Sequence, residues 1–252
     1  MKGKTLSLYL AACFSLSAAL TAPGYADQVT PSVAVKLDLP YVSKYVWRGT
    51  VPNPDPTLQP SLTLTHKSGV SLNLWASLDG TDINDEKGRP TEIDYTASYA
   101  WAAGKDGGIG MSAGLIDYTF PNTSFADTKE IYASAAFTGT LSPTLSVNYD
   151  YDEVDGYYIS LGGSKTAPIG KNSMSLSGRL SFATAKYNKV YLGANKNAFT
   201  DLLLSASVPF TVGKSYTITP AVSYSTVLSS ALRDGVTDPD NFFTSLTASF
   251  AF

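Results

Sequence analysis

The stretch LQPSLTLTHKSGVSLNLWASLD, residues 58–79, decides the fold class. Two runs in which apolar and polar residues alternate flank the pair Ser68-Gly69. The apolar positions of the two runs are Leu58, Leu62, Leu64, Val70, Leu72, Leu74, Ala76 and Leu78. A period of two is typical of strands that have one apolar and one polar face, and a Ser-Gly pair between such runs is typical of a tight turn. The stretch therefore predicts a β-hairpin.

The same alternation recurs along the rest of the chain. Twelve segments show it: 33–48, 58–67, 70–79, 91–102, 109–120, 128–138, 144–152, 157–166, 173–183, 201–210, 215–227 and 241–252. Most have the ~9–11 residues that a tilted strand needs to cross a bilayer, and no run after residue 26 has the ~18 apolar residues of a spanning helix. An even number of antiparallel strands closes into a barrel. The sequence thus predicts an all-β fold, an antiparallel transmembrane β-barrel of about twelve strands.

The connections between these segments alternate in length. One set is short (68–69, 103–108, 139–143, 167–172 and 211–214), and the other is mostly longer (49–57, 80–90, 121–127, 184–200 and 228–240, with only 153–155 short). Short periplasmic turns and long external loops are the expected asymmetry of an outer-membrane barrel.

A secreted β-sandwich would show the same period of two, with its apolar faces packed inward. Three features favour the barrel. Aromatic residues concentrate near strand ends, as in interfacial girdles, for example Tyr45, Trp47, Tyr99 and Tyr118. The polar faces are mostly small residues, which would leave room in a lumen. The last strand ends with Phe250 and Phe252, and a terminal aromatic resembles the signal read by the barrel assembly machinery.

The N-terminus has the pattern of a secretory signal peptide. Lys2 and Lys4 precede an apolar stretch over residues 6–20, and Gly24 and Ala26 are small residues before a cleavage site. We expect a signal peptide over residues 1–26 and one barrel domain over residues 27–252. Cys13, which follows Leu-Ala-Ala, leaves lipoprotein processing as an alternative.

Removal of this segment sets the charge and the cysteine content. The whole chain has 18 Lys+Arg and 21 Asp+Glu; without Lys2 and Lys4 the count is 16 against 21, a net charge of −5. Cys13 is the single cysteine, so the mature chain has no disulfide or thiol chemistry. The charges form no basic block, which argues against nucleic acid as a partner. Outer-membrane lipid, lipopolysaccharide and the assembly machinery are the partners we expect.

Alternate positions of each predicted strand point to opposite faces, and this alternation (the parity of the residue number) assigns a set of charged residues to the lumen. We predict as pore-lining residues Arg48, Asp79, Glu92, Asp94, Glu130, Asp150 and Arg179; the same parity adds Lys36, Asp38, Lys44, Lys67, Asp152 and Asp201. These are eight acids and five bases, and pore charges of one sign select ions of the other. The excess of acidic over basic residues predicts that the pore has a mild preference for cations. Alternatively, the charges interlock and plug the lumen. At the outer end of the first strand, Arg48 either builds a constriction with nearby acids or holds a loop through a salt bridge.

The sequence gives little support for a catalytic or metal-binding site. His66 is the single histidine, and it lies beside a turn at the predicted periplasmic end, so a structural role is expected rather than catalysis. No enzyme motif or metal-ligand cluster is present, and we expect no enzyme activity and no cofactor. The acidic loop 82–86 could hold Ca²⁺ or be merely solvated. Lys186, Lys189 and Lys196 could contact lipopolysaccharide phosphates or keep their loop soluble.

The segment YVSKYVWRGTVPNPDPTLQPS, residues 41–61, resembles the start of the TorF-like (Gcw_chp) family of Gram-negative proteins of porin type. The matching elements are Tyr45-Val46-Trp47-Arg48-Gly49 and Leu58-Gln59-Pro60-Ser61, and Glu92-Ile93-Asp94-Tyr95 also looks like the family. The resemblance implies a porin-like channel for passive diffusion of small hydrophilic solutes or ions. The alternative is a plugged barrel that acts as a structural or surface-interaction protein. The sequence specifies neither the solute nor the oligomeric state.

Overall fold

The computed structural model describes residues 32–84, 86–104, 108–212 and 215–252. The predicted signal peptide with its cleavage site, and Cys13 with the lipoprotein alternative, lie outside these residues. None of the helices in the described ranges is long and apolar enough to cross a membrane.

Sixteen strands and two short helices follow one another in these ranges. They are β1 Val33–Val42, β2 Tyr45–Trp47, β3 Thr50–Asn53, β4 Thr57–Leu58, β5 Ser61–His66, β6 Val70–Asp79, β7 Pro90–Ala103, β8 Ile109–Thr119, β9 Thr128–Phe137, β10 Thr144–Asp150, β11 Gly156–Ile169, β12 Asn172–Ala183, α1 Ala185–Leu192, β13 Ala198–Ser207, β14 Phe210–Val212, β15 Tyr216–Val227, α2 Ser230–Arg233 and β16 Asp240–Ala251.

The strands form one closed antiparallel wall. Each wall strand pairs with its neighbours in the chain, and β1 pairs with β16 to complete the circle. Strands β4 and β5 together make a single wall strand, as do β13 and β14, so the wall has twelve strands. Closure leaves no strand edge unpaired. The predicted twelve-stranded antiparallel β-barrel is confirmed.

Burial shows which face of the wall points inward. On β6, Leu72 is 54 % exposed, whereas Ser77 and Asp79 on the opposite face are 0 % and 2 % exposed. A sandwich would bury its leucines. Here the apolar side chains face outward, where a membrane would meet them, and the polar side chains line the interior.

The two ends of the barrel differ, and we call them the turn end and the loop end. The turn end carries the tight connections, such as Ser68-Gly69. The loop end carries the long segments, including both helices and the small separate sheet of β2 and β3. We call residues 43–56, which contain β2 and β3, the inner hairpin. The inner hairpin and α1 fold back over the lumen instead of extending away from it.

The predicted first strand is too long. The wall strand ends at Val42, which pairs directly with Thr57, and the chain between these two residues turns inward. The alternation through Tyr45 and Trp47 is real, but these rings pack inside the barrel: Tyr45 is 8 % exposed, and Trp47 lies against Tyr118 and Tyr191. The assignment of Tyr45, Trp47 and Tyr118 to an aromatic girdle is therefore wrong. Tyr99 does lie on the outer surface.

Two other expectations need correction. The segment predicted as a long loop over residues 184–200 contains α1, whose Tyr187 and Leu192 are fully buried. Asp152 does not face the lumen: β10 ends at Asp150, and Asp152 makes an exposed ion pair with Lys129. Lys67 likewise lies in the exposed turn after β5. Side chains alternate between the two faces only within a strand. The alternation therefore cannot assign a face to residues that follow the end of the strand.

Candidate functional site

The inner hairpin crosses the lumen from one wall to the opposite one. Its base continues from β1, where the Ser43 amide donates to the Thr244 carbonyl at 2.9 Å. Its tip reaches the wall at β13 and β15: a Cβ atom built on Gly49 would lie 3.1 Å from the Asp201 Cβ and 3.3 Å from Val227 Cγ2. Gly49 has φ +86°, a conformation that glycine adopts freely. Glycine thus allows both the turn and the close approach at the tip.

Arg48 fixes the tip of the inner hairpin. Its guanidinium donates to both carboxylate oxygens of Glu130, at 2.6 and 2.8 Å, and to the Tyr187 hydroxyl at 2.9 Å. The rings of Trp47 and Tyr158 lie 4.6 and 4.5 Å from the guanidinium carbon. Bidentate pairing and aromatic faces are the environment that suits a buried arginine. Arg48 itself has φ +48°, so its non-glycine backbone is held in the left-handed region by these contacts.

Glu130 accepts hydrogen bonds from several donors inside the barrel. Besides Arg48, it accepts hydrogen bonds from the Tyr118 hydroxyl and from Asn148 Nδ2, both at 3.0 Å. Glu130 is 1 % exposed. A buried ion pair is stable only when its remaining oxygens and protons are also satisfied, and here five groups surround one carboxylate–guanidinium pair. We call Arg48, Glu130, Tyr118, Asn148, Tyr158, Tyr187 and Trp47 the arginine cage.

A second ion pair lies next to the arginine cage. Arg179 on β12 donates to Asp201 on β13 at 2.9 Å, and the Tyr158 hydroxyl donates to Asp201 at 2.8 Å. Tyr158 therefore contacts both pairs, with its ring against Arg48 and its hydroxyl on Asp201. The wall is thus linked from β9 to β13 through one tyrosine.

Asp150 organises the adjacent short loop. Its carboxylate accepts from Thr128 Oγ1 at 2.8 and 2.9 Å, and one oxygen accepts from the amides of Asp152 and Val154, each at 3.2 Å. The Tyr191 hydroxyl lies 3.4 Å away. These contacts account for a fully buried carboxylate that has no basic partner in the described part of the chain.

The remaining three predicted residues lie on wall strands β6 and β7, and Asp94 is paired in register with Tyr118. Asp79 accepts from Asn84 Nδ2 at 2.8 Å and from Thr91 Oγ1 at 3.1 Å. Glu92 accepts a hydrogen bond from the Tyr45 side chain. One oxygen of Asp94 is buried without a hydrogen-bond partner. We call Asp79, Glu92 and Asp94 the acidic wall.

The seven predicted residues thus lie on the inner side of the loop-end half, but in separate groups. Arg48 contacts Glu130 and none of the acids of the acidic wall within salt-bridge distance in the described residues. The sequence missed the tyrosines of the arginine cage. The sequence does not show that three of these aromatic residues point inward: Tyr118, Tyr158 and Tyr187. Aromatic residues occur both in the lumen and on the lipid-facing surface, so alternation alone does not separate the two.

Below these groups, the turn-end half of the lumen is lined by small hydroxyl side chains. Facing pairs hydrogen-bond across the strands: Ser112 with Ser134 at 2.7 Å and Ser205 with Ser223 at 2.8 Å. Asp38, midway along β1, is the exception, and it pairs with Lys36 at 2.7 Å. A lumen of small polar groups offers hydrogen bonds to water and leaves more room than long side chains would.

The other candidate residues lie at the two ends. At the turn end, the Ser68 amide donates to His66 Nδ1 at 3.2 Å, which is a turn-stabilising contact. At the loop end, Lys186 pairs with Asp155, and the Lys186 ammonium together with the Tyr149 hydroxyl lowers the pKa of Asp155 below its ordinary value. Lys189 and Lys196 are exposed. Asp85, in the acidic loop, is outside the described residues.

Comparison with protein families gives a match over most of the chain. The family described as "Bacterial protein of unknown function (Gcw_chp)" matches residues 26–250. The chain belongs to the Gcw_chp family. The resemblance seen in residues 41–61 is therefore confirmed and extends over nearly the whole barrel. A comparison with curated proteins gives no match.

Solved structures with a similar fold are small outer-membrane channels. The KdgM porin superposes with a TM-score of 0.53 at 11 % identity, covering 86 % of this chain and 99 % of that one. The NanC porin gives 0.54 at 12 %, covering 85 % and 98 %. The COG4313 outer membrane channel from Pseudomonas putida F1 gives 0.52 at 11 %, covering 92 % and 100 %. At these identities the likeness shows a shared fold.

Proposed function

We propose that this protein is an outer-membrane channel for passive diffusion of small hydrophilic solutes or ions, with the inner hairpin as its constriction. The observation that carries the proposal is the arrangement along the barrel axis. A transverse hairpin narrows the loop end, and the lumen below it is lined by serine and threonine hydroxyls. Diffusion needs a polar path and a narrow zone that sets size and charge limits, and it needs no bond chemistry. No residue is therefore assigned a catalytic role.

The inner hairpin suits a constriction because it lies inside the barrel without being part of the barrel sheet. Strands β2 and β3 form their own two-stranded sheet, separate from the barrel sheet. Its tip is held by the Arg48–Glu130 pair and the surrounding rings. The wall itself is closed without this segment, because Val42 and Thr57 pair directly.

Among known channels of this fold, one structure is described as the KdgM porin in complex with disordered oligogalacturonate. That protein holds a hydrophilic carbohydrate. We extend to this chain only the general expectation of small hydrophilic solutes.

The interior charges favour cations. Three acids have basic partners: Glu130 with Arg48, Asp201 with Arg179 and Asp38 with Lys36. Asp79, Glu92, Asp94 and Asp150 have no salt-bridge partner among the described residues, and Lys44, which donates to Asn241, is the base left beside them. The excess negative charge in the narrow half should give a mild cation preference.

Cellular placement follows from the same proposal. Residues 1–26 would direct export and be removed, and Phe250 and Phe252 would serve the barrel assembly machinery. The loop end, with exposed Lys189 and Lys196, would face the cell exterior beside lipopolysaccharide, and the turn end would face the periplasm.

The test is single-channel recording from the refolded mature chain in a planar bilayer, with a salt gradient to read ion preference. We expect discrete openings with a reversal potential that favours cations. Folding is checked separately, because a closed barrel migrates differently on a gel before and after boiling. A correctly folded barrel that never conducts would contradict the proposal.

The second candidate is a plugged barrel whose loops are its working surface. The arginine cage favours it, since a buried, fully satisfied ion pair across the lumen is difficult to displace. The two candidates differ in what removal of the inner hairpin does. A channel already conducts before its removal, whereas a plugged barrel conducts only after it.

A further inference from the structure

One side of the lumen concentrates buried polar atoms without hydrogen-bond partners. They are Asn53 Nδ2, Thr57 Oγ1, Gln59 Nε2, Ser77 Oγ and Asp94 Oδ1. Buried polar groups in folded proteins are nearly always satisfied, so a cluster of unsatisfied ones needs an explanation. All five belong to the inner hairpin or to the neighbouring wall strands β4–β7. They lie in or beside the acidic wall, whose Asp94 is paired in register with Tyr118 of the arginine cage.

The strand register brings the most important of these groups together. Glu92 on β7 pairs with Ser77 on β6, and Asp94 pairs with Trp75. Gln59 faces Ser77 from the other side, because Leu58 pairs with Leu78 and the Ala76 amide donates to the Pro60 carbonyl. Directly opposed residues of an antiparallel pair have Cβ atoms about 5 Å apart. The Ser77 hydroxyl, on a residue that is 0 % exposed, is therefore flanked by Glu92 and Gln59.

The two carboxylates of this group repel each other. Glu92 and Asp94 are two residues apart on one strand face, a separation of about 7 Å along the strand. Neither has a salt-bridge partner among the described residues, and Arg48 acts on both only through space, since Glu130 occupies its donors. The Tyr45 hydroxyl neutralises no charge; it orients Glu92 by a hydrogen bond. Two neighbouring buried carboxylates require either protons or a cation.

From these contacts we infer a calcium-type cation site between the inner hairpin and the wall, with Glu92 and Asp94 as charged ligands and the Ser77 hydroxyl as a neutral one. The Gln59 amide is placed to contribute its oxygen, because a side-chain amide can present either its oxygen or its nitrogen. Ca²⁺ takes oxygen ligands in flexible geometry, which suits a mixed set of carboxylate, hydroxyl and amide. The set has only two carboxylates, and no group of three or more His, Cys, Asp or Glu among the described residues could hold a metal ion.

The expected affinity follows from the charge count. Sites with few charged ligands, as in extracellular modules, bind Ca²⁺ with Kd of about 0.1–1 mM. This site lies in the half of the lumen that opens at the loop end. A cation held there would also attach the inner hairpin to the wall through Tyr45 and Glu92. This inference is independent of the proposed channel function. Ca²⁺ binding is measured without recording a current, and a barrel that does not conduct could bind Ca²⁺ equally well.

The test is calorimetric titration of the refolded full-length mature chain with CaCl₂, supported by Tb³⁺ luminescence. Trp75 lies opposite Asp94, and its ring is tilted against that of Tyr45 at 5.6 Å between ring centroids, so it should sensitise bound Tb³⁺. We expect saturable binding, with Ca²⁺ displacing Tb³⁺. The double variant Glu92→Gln with Asp94→Asn should weaken binding about ten-fold or more, because affinity follows ligand charge. Trp75→Phe should reduce the luminescence, with Tyr45 as the remaining nearby sensitiser, while keeping Ca²⁺ affinity.

The matched control is Asp152→Asn, which removes a carboxylate from the exposed ion pair with Lys129, where Asp152 is 41 % exposed. It should leave binding unchanged. The double variant removes repulsion, so it should fold, and heat-dependent gel mobility checks that it does. No saturable binding by the folded wild type up to about 10 mM, well above the affinities known for weak sites, would overturn the inference and leave protonation as the neutralising event. Equal binding by wild type and double variant would also overturn it.

Discussion

At the scale of single residues, Arg48 has the largest role in the loop-end half. It links the inner hairpin to β9 through Glu130 and to α1 through Tyr187. The pair is almost completely removed from water, with side-chain exposures of 9 % and 1 %. The loss of one partner leaves the other charge buried and unpaired, and that penalty is larger than the net benefit of the intact pair.

Arg48→Ala should therefore lower the free energy of unfolding by about 3–5 kcal/mol, the cost of breaking a buried pair. The measurement is urea unfolding of the protein in lipid vesicles, followed by tryptophan fluorescence. The matched control is Lys129→Ala, on the residue next to Glu130, whose ion pair with Asp152 is exposed and should contribute nothing measurable.

A double variant separates the charge from the packing. Arg48→Met combined with Glu130→Leu removes both charges while keeping most of the volume, and it should recover most of the lost stability. If the double variant is as unstable as Arg48→Ala, the cage acts through geometry that only the ion pair can supply.

At the scale of elements, the inner hairpin is separable from the wall. Val42 and Thr57, the residues that flank it, are paired directly across β1 and β4. A two-residue turn can join residues so paired, and Asn-Gly is the preferred sequence for it. The barrel wall therefore does not need the inner hairpin for closure.

Replacement of residues 43–56 by Asn-Gly should leave a folded barrel with a several-fold larger single-channel conductance. The physical reason is that the segment spanning the lumen is gone while the wall register is kept. The control is deletion of residues 122–126 in an exposed loop, where Phe125 is 72 % exposed; its conductance should match the wild type. Unchanged conductance in the first variant would mean that α1 and not the inner hairpin limits passage.

At the scale of the whole molecule, closure depends on the last strand. β16 pairs with β1 over seven residue pairs, from Lys36 opposite Ala251 to Val42 opposite Ser245. The Phe252 amide donates to the Val35 carbonyl at 2.9 Å, and the Phe252 ring is exposed. Phe250 stacks on Tyr216 at 5.9 Å between centroids on the outer surface. The terminal ring thus adds little to the packing of the finished barrel.

Deletion of Phe252 should reduce the amount of folded barrel in the outer membrane of expressing cells, while refolding of the purified chain into vesicles stays close to wild type. This difference is expected if the residue is read by the assembly machinery and not needed for stability. The measurement is the folded fraction on unboiled gels in both settings, with Tyr216→Ala as the control that removes only the stacking partner of Phe250. Equal losses in cells and in vesicles would assign Phe252 a structural role instead.

The amino-acid sequence by itself determined the barrel and most of its strand boundaries. The predicted segment 70–79 is β6 as observed, and 173–183 differs from β12 by one residue. Alternation predicts wall strands well because successive side chains face the two sides of the wall in turn, lipid and lumen. The pattern is therefore visible in a short stretch of sequence. It also placed Glu130, Asp150 and Arg179 on the inner face, and the YVWRG motif indicated the family.

Only the tertiary structure decided what lies inside the barrel. The segment 45–47 alternates like a wall strand, yet it folds into the lumen because Thr57 takes the place beside Val42 and the rings of Tyr45 and Trp47 find aromatic partners there. Arg48 meets Glu130 across 82 residues of sequence, and the tyrosines around them come from β8, β11 and α1. Contacts inside the lumen join strands on opposite sides of the closed wall. Such long-range contacts leave no periodic pattern in the local sequence, so the sequence did not predict them.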